Sequence, residues 1–127
     1  MIVGIGTDII EVERIGRLLS KQKRFKERIF TRAEIDYCEH KTNRAQNYAA
    51  RFAVKEAFLK AIGTGWREGI AFKEIEIKND KKGKPELILS GTAKTITEQI
   101  GVTNIQVSIS HLKDLAIGFV MLERQQS

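Results

Sequence analysis

The chain has 127 residues, 42% hydrophobic and 30% charged, with a net charge of +6 at neutral pH. Such a chain fits one domain, 1–127, with a real core, and its composition excludes a disordered protein. No apolar run approaches the roughly 20 residues of a membrane span, nothing at the N-terminus reads as a secretory signal, and the single cysteine, Cys38, excludes an internal disulfide or a cysteine-based zinc site, which points to the cytoplasm.

The first segment, "IVGIGTDII", is rich in branched residues and small glycines and predicts a buried strand. "VERIGRLLSK" follows with Val12, Ile15, Leu18 and Leu19 at helical spacing and arginines opposite. A short helical piece, "KRFKERIF", comes next. Thr31 and Glu34 stand at capping-box spacing, so another helix begins at Thr31. The longest helical pattern is "TNRAQNYAARFAVKEAFLKAIG", with Thr42 or Asn43 to cap its start and Gly63 to end it. "FKEIEIK" alternates as a half-buried strand and pairs with "ELILS" across a lysine-glycine turn. Ser90 can cap a helix running to Gly101. "NIQVSISH" and "LAIGFVMLE" predict a closing hairpin joined by "LKD". Helices grouped among mostly antiparallel strands make an α+β domain.

Charge is unevenly distributed. Between Arg14 and Arg32 there are eight basic residues and one acid, while the remainder is nearly neutral. Such a patch suits an acidic partner, although a solvated basic face looks the same in sequence.

Several short stretches admit both a functional and a structural reading. "GIGTD" is no dinucleotide fingerprint, because Ile9 stands where the third glycine belongs. Taken locally, Asp8 reads first as a cap for the following helix. In the long helix, Phe52, Glu56 and Lys60 form one stripe. Glu56 and Lys60 could be a surface ion pair, but the surrounding alanines allow close packing, where a carboxylate needs a partner such as a divalent cation. "NDKKGKP" is either a solvated turn or an anion contact through lysines and exposed backbone amides. "SISH" is either a polar strand end or part of a site. Carboxylates, lysines, arginines and one histidine suit a magnesium ion and phosphate groups.

Taken in order, "GIGTDIIEVERI", "RFAVKEAFLKAIGTG", "GKP" and "VSISH" resemble the holo-acyl-carrier-protein synthase family, the short bacterial 4′-phosphopantetheinyl transferases, over nearly the whole chain. The resemblance implies a single-domain α+β fold, mostly antiparallel sheet with a long packed helix, assembled as a homotrimer with shared active sites. It implies Mg2+-dependent transfer of the phosphopantetheine arm from coenzyme A to a serine of apo-acyl carrier protein, releasing adenosine 3′,5′-bisphosphate and supporting fatty acid synthesis. Asp8 and Glu56 match the family's metal ligands. Glu56 and Lys60 carry the catalytic roles, the base that accepts the serine proton being Glu56 or a water. Lys60 also contacts coenzyme A phosphate, and Arg51, Gly65, Lys84, Pro85, Ser110 and His111 match residues near the adenosine 3′-phosphate end. Carrier protein is expected on the basic helices, at Arg14, Leu18, Lys21, Arg24, Phe25 and Arg28. Neither nucleic acid nor membrane is expected as a partner, Phe25 and Phe30 being too isolated for a stacking platform. One departure shows: the last strand reads Ala116-Ile117-Gly118 where the family has Ala-x-Ala. Losing that methyl is expected to weaken the strand without touching a motif residue.

Overall fold

The structure, a computed structural model, describes residues 1–63 and 69–125. In chain order the elements are β1 (Ile2–Glu11), α1 (Val12–Lys21), α2 (Phe25–Ile29), α3 (Arg32–Glu39), α4 (Arg44–Ile62), a 3-10 turn (Phe72–Glu74), β2 (Ile75–Asn79), β3 (Pro85–Leu89), α5 (Gly91–Ile100), β4 (Asn104–His111) and β5 (Leu115–Glu123). β1, β5 and β4 form an antiparallel sheet in that order, so β1 and β4 are its edges, and β2–β3 is a separate hairpin. No helix among the described residues is long and apolar enough to cross a membrane.

Helix α4 lies across the sheet, and glycines let it come close. A Cβ on Gly6 would collide with the Ala57 carbonyl oxygen and lie 2.8 Å from the Ala61 amide nitrogen. On β5, a Cβ on Gly118 would lie 2.6 Å from the Ala53 carbonyl carbon and the Val54 nitrogen. The departure at Gly118 therefore costs nothing of the expected kind: the missing methyl is the space that α4 occupies. One apolar cluster joins α4 to β2, α5, β4 and β5 around Phe58, Ile75 and Val120; the other joins it to α1–α3 around Ile15, Phe30 and Tyr48. Covered by both, α4 has no simple apolar stripe.

The helix starts are only partly as expected. Thr31 and Glu34 form the capping box: Thr31 Oγ1 accepts from the Glu34 amide, and Glu34 Oε1 from the Thr31 amide. Asp8 caps nothing, because β1 continues to Glu11, which is the residue preceding α1. Ser90 precedes α5 without a side-chain cap; Glu74 reaches over instead, its Oε2 accepting from the Thr92 amide at 2.7 Å. For the same reason the chain before β2 is a 3-10 turn rather than strand. It places Glu74 against the α5 terminus.

Glu34 does more than cap. It is 1% exposed, and beside it lies Lys55 of α4, completely buried. Lys55 Nζ donates to Glu34 Oε1 at 2.8 Å, to the Phe72 carbonyl at 2.9 Å and to the Ile75 carbonyl at 2.6 Å, while Glu34 Oε2 accepts from the Ile77 amide at 2.9 Å. Burial pushes the Lys55 ammonium below its ordinary range, opposed by the Glu34 carboxylate. This buried pair ties α3 and β2 to α4.

Candidate active site

Along β1, side chains alternate, so Asp8 shares with Gly4 and Gly6 the face that meets α4. Lys60 reaches across from α4: its Nζ donates to Asp8 Oδ1 at 2.8 Å and to the Thr7 carbonyl at 3.0 Å. Glu56 is half-buried, one helical turn before Lys60 on the same flank. Asp8 and Lys60 thus meet at the β1 edge, and Glu56 stands on the Lys60 flank of α4. Among the described residues no three His, Cys, Asp or Glu side chains gather as a metal site. The donor set still fits magnesium, which takes oxygen ligands and is held by one or two carboxylates together with substrate phosphates.

A second group forms at the other edge. Arg51, Pro85 and His111 line a cavity of about 230 Å³ together with Tyr37, Asn47 and Asn79. Arg51 is 3% exposed. It donates to Asn79 Oδ1 at 2.6 Å and lies 4.1 Å from the centre of the Tyr37 ring, and its Nε–H has no partner. A buried guanidinium with an unused donor is a site prepared for an anion. Tyr37 and Asn79 were invisible as site residues in the sequence. Only the position of Asn79 in the basic turn hinted at it.

Not every expected residue joins these groups. Lys84 lines a neighbouring groove between β3 and β4, of about 420 Å³. Three of the turn amides are already engaged: Asp80 Oδ1 accepts from the amides of Lys82 and Lys84, and the Asp80 carbonyl from that of Gly83. Ser110 is exposed, and strand alternation puts it on the sheet face opposite to His111. Gly65 lies outside the described residues.

On the basic helices, Arg14, Lys21, Arg24 and Arg28 are exposed, and Leu18 and Phe25 are half-buried against the core. Phe25 lines an apolar crevice of about 210 Å³ with Arg28, Ile29, Phe52 and Phe72. Lys26 differs: its ammonium sits 3.1 Å from Glu39 Oε2. Glu39 also accepts from Arg44 Nε and from the Tyr48 hydroxyl. The Tyr48 hydrogen bond, with those of Lys26 and Arg44, holds the Glu39 carboxyl down at about 2. The Cys38 thiol, buried behind them, is pushed up to about 11.

A long helix clasped to an antiparallel sheet through glycines makes an α+β fold whose edges carry residue types suited to phosphate groups, carboxylates at one and a buried arginine at the other. Residues 4–120 match the 4′-phosphopantetheinyl transferase superfamily, and the chain belongs to that family of enzymes. It is similar to the holo-[acyl-carrier-protein] synthase of Solibacter usitatus, 48% identical over 97% of this chain and 99% of that one. Among solved structures it resembles that of Neisseria meningitidis, with a TM-score of 0.88, 37% identity and coverage of 98% and 100%. It also resembles that of Bacillus anthracis, solved in complex with CoA (3′,5′-ADP), with a TM-score of 0.80, 41% identity and coverage of 98% and 99%.

Proposed function

We propose that this enzyme transfers the 4′-phosphopantetheine arm of coenzyme A to a serine of an apo-acyl carrier protein, with Mg2+, in the cytoplasm, in support of fatty acid synthesis. The serine oxygen attacks the β-phosphorus, and the bond to the bridging oxygen breaks. That oxygen leaves with adenosine 3′,5′-bisphosphate, and Glu56 or a water takes the serine proton. The observation that carries the reading is the pair of charge clusters, carboxylates with Lys60 at the β1 edge and Arg51 at the β4 edge.

Asp8 and Glu56 would hold the metal. There it would supply positive charge to offset that of the pyrophosphate. Lys60 moves from Asp8 to a phosphate oxygen and balances charge on the leaving group. Arg51 holds the 3′-phosphate.

The two clusters sit on opposite edges of one sheet, with β5 between the edge strands and α4 contributing side chains to both. A site divided in this way is completed if the β1 edge of one copy meets the β4 edge of the next. Repeated, that head-to-tail contact closes a ring, and we propose a homotrimer. The sheet face away from α4 supports it, since Ile5, Ile9, Ile117 and Phe119 are exposed there. Ser110, on that face, would enter a site completed by a neighbour.

The test is intact-mass spectrometry of apo-acyl carrier protein incubated with this protein, coenzyme A and magnesium. The expected result is a gain of one phosphopantetheine, lost with chelator and with Glu56→Gln. No gain from folded protein with several carrier proteins would overturn the reading, and near-normal turnover by Glu56→Gln would remove the metal role.

A further inference from the structure

We propose that Tyr37 and Asn79 are positioning residues for Arg51, and that this clamp makes the enzyme discriminate coenzyme A from 3′-dephospho-coenzyme A. The inference rests on the reading that the Arg51 cavity takes the adenosine 3′-phosphate. It adds the residues that make the arginine effective.

Arg51 is held on two sides. The Tyr37 ring lies against the guanidinium at 4.1 Å, and Asn79 Oδ1 accepts from one terminal nitrogen at 2.6 Å. Among the described residues no carboxylate forms an ion pair with it. Its charge is therefore oriented without being neutralised. An aspartate at position 79 would orient it and cancel it.

Asn79 cannot turn over. Its Nδ2 donates to the Gly83 carbonyl at 3.0 Å, so a flip would set donor against guanidinium and carbonyl against carbonyl. That bond also ties the 83–85 turn, with Pro85 opposite Asn79 in the hairpin, to the arginine. The buried Glu34–Lys55 pair fixes both clamp elements: Tyr37 lies one turn after Glu34 on α3, and Asn79 lies two residues after Ile77, whose amide Glu34 binds. A second cation, Lys41, sits 4.5 Å from the Tyr37 ring centre. An arginine already locked in place gives up little conformational freedom on binding a phosphate, which is how preorganisation becomes affinity. Arg51 Nε–H, buried and unpartnered, is one of the donors left for the anion.

The experiment measures kcat and KM for coenzyme A and for 3′-dephospho-coenzyme A at fixed carrier protein. The variants are Arg51→Ala, Tyr37→Leu, Tyr37→Phe and Asn79→Leu, with thermal midpoints alongside. Arg51→Ala should abolish the preference for coenzyme A. Tyr37→Leu and Asn79→Leu should each lower it by about tenfold, through KM for coenzyme A, leaving kcat and the dephospho substrate nearly unchanged. Tyr37→Phe keeps the ring and should keep the preference. If Arg51→Ala abolishes the preference while Tyr37→Leu and Asn79→Leu retain it, the clamp is wrong and the cavity reading stands. If Arg51→Ala retains the preference, the cavity reading itself fails, and the clamp with it. Equal losses on both substrates would mark Tyr37 and Asn79 as structural only and overturn the inference. Tyr37 is 37% exposed, so its replacement leaves no buried void and decides the matter even if Asn79→Leu does not fold.

Discussion

Replacing Lys55 by Met tests whether the buried pair holds α4 to β2. The side chain is fully buried, so methionine fills much the same volume and removes only the ammonium. Three acceptors each lose one donor: Glu34 Oε1 and the carbonyls of Phe72 and Ile75. Glu34 keeps the amides of Thr31 and Ile77 but is left enclosed without its cation. Breaking one side of a buried ion pair costs about 3–5 kcal/mol. Relief from desolvating the ammonium offsets part of this, so about 3 kcal/mol is expected, a large share of the roughly 5–15 kcal/mol that such a domain has. Urea unfolding at pH 7 measures it as a lower midpoint at unchanged slope. Adding Glu34→Gln removes the stranded carboxyl group, and the double variant should recover about 1–2 kcal/mol. A loss under about 1 kcal/mol for Lys55→Met, or no recovery in the double variant, would refute the argument that the pair is the clamp between α4 and β2.

Gly6→Ala should destabilise the protein by about 3 kcal/mol and lower activity with it, because the methyl meets helix backbone that cannot turn aside; unfolding and turnover of the same sample check this. Glu39, held at about 2 in the folded state against an ordinary 4.5, contributes stability above pH 4.5 that is lost as pH falls toward 2. Thermal midpoints against pH should drop over that window in the native protein and stay flatter in Glu39→Gln. Charge reversal at Arg14 and Arg24, both exposed, should raise KM for carrier protein far more than for coenzyme A; equal rises would argue against docking there. Lys60→Met frees Asp8 of its ammonium and should tighten Mn2+ binding without coenzyme A, read by calorimetry; unchanged affinity would mean that Lys60 does not compete for that carboxylate.

Much of the fold could be read from neighbours along the chain. The order of strands and helices, the Thr31–Glu34 capping box and the hairpin around Gly83 all follow from spacings of a few residues, where periodicity and turn chemistry act directly. The motifs singled out Asp8, Glu56, Lys60, Arg51, Pro85 and His111, of which the structure joins Asp8 to Lys60 and sets Arg51, Pro85 and His111 around one cavity. What each one touches was not. Local reasoning made Asp8 a helix cap and Ser90 another, and the structure gives Asp8 to Lys60 and the α5 amide to Glu74. Both partners are distant in sequence, and no local spacing encodes them.

The chain itself, then, determined the elements, the basic stretch from Arg14 to Arg32 and the residue types suited to phosphate. Only the tertiary structure decided which charges are buried. In "AVKEAFLK" the sequence draws the eye to Glu56, yet Lys55 is the residue enclosed, because its carbonyl and carboxylate partners come from α3, the 3-10 turn and β2. It also decided that Arg51 is gripped by Tyr37 and Asn79, and that the two charge clusters lie at opposite sheet edges. A side chain's residue type sets the bonds it can make, but burial and partners are set by what packs against it, and that comes from the folding of the whole chain.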